Sequence, residues 1–166
     1  MAIRRAKQKQ QVIEKLSQTA PPGETFLACV HVETGPSPWL NALFDEVPIV
    51  GLVMTYTRKF YFLTLTNTSI VVNTCSRYTN RPGEVVYAFP INQFPVLKVN
   101  RAAIWSSMFV QFPGQAKQTR LNIHRYWRNE FDQLIAALPQ QPGIPAQGGP
   151  AAPAQAPTPQ SPIQQA

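Results

Sequence analysis

The sequence predicts a mainly β domain: seven short strands in a sandwich or partly open barrel, closed by one C-terminal amphipathic helix. Three observations predict it. Runs of β-branched and aromatic residues recur at short spacing between Glu24 and His124. Asn, Gly and Pro turn signals separate those runs. The apolar period then changes from two to that of a helix, and a proline stops it.

The first strand is expected over Glu24–Glu33, with Phe26, Ala28, Val30 and Val32 on one face. Gly35-Pro36-Ser37-Pro38 breaks the chain after it. Residues 39–57 are ambiguous between a helical turn, a strand and a buried loop. Phe60–Thr66 and Ser69–Cys75 flank the two-residue link Asn67-Thr68 and read as a hairpin. Asn tolerates the left-handed backbone that tight turns require. Further strands are expected at Glu84–Phe89, Val96–Asn100, Trp105–Phe112 and Thr119–His124. Trp127, Phe131, Leu134, Ile135 and Leu138 then fall on one helical face, which needs the open end of the sheet to cover it. Pro139 ends this helix, because helical geometry is disfavoured just before a proline.

Charge and proline divide the 166 residues into three parts. Residues 1–20 form a basic helical arm, where Arg4, Arg5, Lys7, Lys9 and Lys15 oppose Glu14 alone. This arm carries +4 of the net +7. Residues 21–138 form the β domain, with ten basic and seven acidic residues. Residues 139–166 are uncharged, hold 8 of the 17 prolines and lack aromatic residues. They are expected to be a disordered Pro/Ala/Gln-rich tail, since they cannot bury enough apolar area to offset chain entropy. An apolar content of 44% excludes disorder throughout. Two cysteines are too few for a disulfide scaffold, and Cys29 and Cys75 read as buried thiols. With no signal-like apolar run behind the basic start, the expected location is the cytoplasm.

The order of elements over 24–138 resembles the pleckstrin-homology-like (PH-like and GRAM-like) domain family in its bacterial form. The carrying residues are Pro22-Gly23-Glu24 before the first strand, Tyr61–Thr66 running into Ser69–Val72, and the last strand with its helix, Leu121–Leu138. In phosphoinositide-binding members, basic residues around the first inter-strand loop hold lipid phosphates. Arg58 and Lys59 match that location. The preceding loop departs from the pattern, with Asp45, Glu46 and no basic cluster, and the apolar stretch 35–57 is long.

Motifs for catalysis are missing: no phosphate-binding glycine loop, no zinc-protease motif and no nucleophile elbow occur. His31 and His124 read as ordinary strand residues that neighbouring strands could bring together. No catalytic residue, cofactor or metal is therefore expected. The leading expectation is a non-enzymatic module for protein–protein interaction or self-association, with Trp39, Leu40, Leu43 and Phe44 as the apolar docking residues. One alternative is a peripheral binder of anionic membrane at the inner face, using Arg4, Arg5, Lys7, Lys9, Arg58 and Lys59. The other is nucleic-acid binding, through the basic arm or through Lys98 and Arg101 near Trp105. The arm has a weak apolar face, so a helix that packs on the domain or projects into solvent stands beside both alternatives.

Overall fold

The computed structural model describes residues 2–38 and 57–139, with side chains from residue 5 onward. Trp39, Leu40, Leu43, Phe44, the side chain of Arg4 and the proline-rich segment 140–166 lie outside the described residues.

Helix α1 spans Ala2–Ser17. Strands follow at Phe26–Thr34 (β1), Phe60–Thr66 (β2), Ser69–Cys75 (β3), Pro82–Pro90 (β4), Val96–Asn100 (β5), Trp105–Val110 (β6) and Thr119–His124 (β7). A 3-10 turn at Arg125–Trp127 leads into helix α2, Arg128–Ala137. All seven strands lie in one antiparallel sheet, in the order β4-β3-β2-β1-β7-β6-β5. The sheet does not close, because β4 and β5 are its two ends.

The register explains the layered shape. β1 pairs with β2 from Phe26 to Glu33, but meets β7 only at Glu33–Asn122 and Thr34–Leu121. The four-stranded and three-stranded parts are thus joined at one end of β1. Alternation along the strands sends Val30, Val32, Leu63, Leu65, Ile70 and Val72 to one face. All six are buried, and this face meets the second part of the sheet. Aromatic contacts bridge the two parts: the Tyr87 and Phe112 rings stack at 4.8 Å, and Phe89 meets Phe94 edge-on at 5.6 Å.

The other face of β1–β3 carries Cys29, His31, Phe62, Thr64 and Asn73. It too is covered, which is why β2 reads as a continuous apolar run rather than an alternating one. Trp127 lies against His31 and Phe62, with ring centroids 6.2 and 6.4 Å apart, and α2 packs on β1 and β7. The predicted stripe is the buried one: Trp127, Phe131, Leu134, Ile135 and Leu138 all belong to the core. Helix α1 contacts β1 and β4, reaches the start of α2 through Arg5 and Lys9, and adds its Val12 and Leu16 to the same core. Of the sequence alternatives for this helix, the structure takes the packed one.

Candidate binding surfaces

Strand β4 is an end of the sheet with an irregular register. Tyr87 faces Val72 and Val85 faces Asn73, so Val86 has no opposite residue and forms a bulge. Val85 and Val86 are 45% and 42% exposed, in a strand with no lysine and with proline only at its ends. Between this strand and the end of α1 lies a groove of 340 Å³. Leu16, Phe26, Val71, Val85 and Ala88 supply apolar walls.

Glu24 also lines that groove. Its Oε1 lies 2.6 Å from the Thr66 hydroxyl, 2.9 Å from that of Ser69 and 3.4 Å from that of Thr68. The Thr66 bond foremost, with Ser69 and Thr68, holds the carboxyl below its usual range against the opposing effect of burial. Asn67 ties the same hairpin to the start of β1, accepting from the Thr25 amide at 3.1 Å and donating to Gly23 O at 3.3 Å. The groove therefore combines an apolar wall with a fixed negative charge. Sequence reasoning missed Glu24 as a site residue. The signal was the hydroxyl-rich link Thr66–Ser69, which reads only as a turn until Glu24 is brought beneath it.

The basic residues singled out from sequence have separate fates. Lys9 donates to Glu130 Oε1, Arg5 Nε lies 3.9 Å from the same oxygen, and an Arg5 guanidinium N–H also donates to Tyr126 O. Arg58 lies 3.8 Å from Glu33 Oε1, while Arg77 donates to the Arg58 carbonyl at 3.0 Å. Burial raises the Glu33 carboxyl, and the Arg58 charge partly offsets that rise. Lys59 is exposed, and its backbone pairs with Thr34. Lys7 is exposed on α1. Arg5 and Lys9 thus serve one carboxylate and Arg58 another, rather than forming one phosphate cradle.

The histidines do not meet. His31 sits among Phe60, Phe62 and Trp127, and burial pushes its pKa down to about 4. His124 packs with Trp105 and Tyr126, and burial with the neighbouring Arg125 lowers it. Trp105 is half-buried and meets His124 edge-on. Both cysteines are buried free thiols, as read from sequence. Burial pushes each up to about 12, and Cys29 Sγ takes the Thr64 hydroxyl at 3.7 Å. Among the described residues, no three His, Cys, Asp or Glu side chains converge as a metal site requires. No described helix is long and apolar enough to cross a membrane.

Comparison with protein-family models, curated proteins and solved structures finds no match to this chain.

Proposed function

We propose that the chain is a non-enzymatic, PH-like binding module that docks an extended segment of a protein partner along β4. The carrying observation is the end strand, paired with β3 on one side only, with Val85 and Val86 in solvent, bordering an apolar groove that Glu24 also lines. An end strand offers main-chain donors and acceptors to an added strand, and an adjacent groove reads that strand's side chains. Glu24, held as an anion, favours a lysine or arginine in the segment beside its apolar residues. The PH-like reading draws support from the order of elements, seven strands followed by a closing helix. The non-enzymatic reading draws support from thiols held protonated by burial and a His31 packed among rings. Membrane attachment draws less support, because Arg5, Lys9 and Arg58 already face carboxylates.

NMR titration of the labelled protein with strand-forming peptides tests the proposal. Valine-threonine peptides carrying one lysine are expected to shift β4 amides and Leu16 methyls, whereas matched glutamate peptides bind more weakly. Glu24→Gln is expected to erase that preference, and Val86→Lys to weaken both. Unmoved β4 resonances throughout would refute it. Concentration-dependent dimerisation abolished by Val86→Lys would replace the peptide with a second copy of the chain.

A further inference from the structure

Arg5 and Lys9 face Glu130, but Lys7, Gln8 and Gln11 lie elsewhere on α1, with Lys7 and Gln11 one turn apart. They look across a groove of 450 Å³ at Tyr78, Thr79, Asn80 and Arg81, in the link between β3 and β4. Lys15 continues the same stripe of the helix, with its ammonium 3.4 Å from Pro82 O. The opposite wall is well defined. The Asn80 amide donates to Ser76 O at 2.9 Å and the Ser76 amide to Arg81 O at 3.0 Å. Asn80 sits at φ 52°, a left-handed position that asparagine tolerates.

What sets this groove apart is unused bonding capacity. Among the described residues, the side chains of Lys7, Gln8, Gln11, Tyr78 and Arg81 make no hydrogen bond, ion pair or ring contact. No carboxylate among the described residues lines the groove. Tyr78 is 85% exposed at its mouth, an unusual place to leave an aromatic ring. Two cations, two glutamine amides and a free ring face bordering one concavity match a specific chemistry. Lys and the Arg fork suit a phosphate, the ring suits stacking on a planar base, and carboxamides donate and accept at a base edge. The volume falls within the range of about 300–1,000 Å³ typical of small-ligand sites.

We propose that this groove binds a nucleotide unit, its base on Tyr78 and its phosphate between Lys7 and Arg81, supplied by single-stranded nucleic acid or as free mononucleotide. The proposal uses neither Glu24 nor the Val85–Val86 edge, so it stands or falls separately from peptide docking at β4.

Fluorescence anisotropy of a labelled single-stranded oligothymidylate at low salt tests it on the full chain. Competitors are thymidine monophosphate, inorganic phosphate and a duplex of the same length. Tyr78→Ala is expected to weaken binding about tenfold, the scale of one stacked base, while Tyr78→Trp retains it. Lys7→Gln and Arg81→Gln are each expected to reduce the salt slope by about 0.7, the value for one single-strand phosphate contact. These positions are on the surface, and far-UV circular dichroism checks that each variant folds. Competition by thymidine monophosphate assigns the free nucleotide, and competition by single strands alone assigns the nucleic acid. No binding at low salt overturns the proposal. Affinity unchanged by Tyr78→Ala and Arg81→Gln overturns it equally, as does inorganic phosphate competing as well as thymidine monophosphate.

Discussion

His31 shows how one side chain couples the core to pH. Its ring stacks on Phe60 at 5.8 Å and meets Phe62 edge-on at 5.2 Å, and its buried Nε2 has no partner. Burial lowers its pKa from 6.5 to about 4 in the folded chain. The unfolded chain therefore takes up this proton first as pH falls. The stabilising effect is complete above about 6.5, is lost progressively as pH falls, and is gone below about 4. The shift corresponds to at most about 3 kcal/mol. Urea midpoints for the natural chain are expected to fall across this window, and those of His31→Phe to fall less. Equal pH profiles would show that His31 does not set this loss. Asn73 is fully buried, and neither atom of its carboxamide has a partner. An unmet buried amide costs about 1–3 kcal/mol, so Asn73→Leu is expected to raise the urea midpoint. A lowered midpoint would mean that the amide is satisfied by water.

Helix α1 is held by two kinds of contact. Val12 and Leu16 are buried in the core, and Lys9 bonds to Glu130. The apolar part is the larger. Leu16→Ala is expected to cost about 2–5 kcal/mol, read from chemical denaturation. The Lys9 side chain is 33% exposed against 8% for Glu130, so solvent weakens that ion pair. Glu130→Gln is expected to cost less than Leu16→Ala and to speed hydrogen exchange in α1 more than in β2. Exchange in α1 unchanged by Glu130→Gln would mean that the Glu130 carboxylate does not help to anchor the helix. The five basic residues of the first twenty suggest a free cationic arm when read as sequence. Two of them, Arg5 and Lys9, face one acidic residue more than a hundred positions away, which no local pattern reveals. The element was legible from sequence, and its docking was not.

The molecule as a whole has one core that both helices share with the sheet, and its two thiols report on it. Cys29 is 4% exposed on the face that α1 and α2 cover, and Cys75 is 9% exposed at the end of β3. With both thiols pushed up to about 12, labelling by a disulfide reagent near neutral pH is expected to require opening of the fold. Helix α1 contacts β1, the strand that carries Cys29, so loosening α1 bears on that thiol first. Glu130→Gln is accordingly expected to accelerate Cys29 labelling more than Cys75 labelling, measured by mass spectrometry of the tagged peptides. Equal acceleration would mean that α1 and the sheet open together.

Local patterning in the chain is enough to mark its elements. β-branched runs marked the strands, Asn67-Thr68 marked the hairpin between β2 and β3, and the Trp127–Leu138 stripe before Pro139 marked the closing helix. These signals are local, arising from side-chain sterics, turn geometry and apolar period, and short-range physics is enough to read them. Which strands end the sheet, which face each helix covers and which charges are paired emerge from long-range packing alone. Val86 is left without an opposite residue between Val72 and Asn73, and Lys7 comes to border one groove with Tyr78 and Arg81. Each of these depends on residues brought together across long stretches of chain, and so both candidate surfaces belong to the fold rather than to any motif.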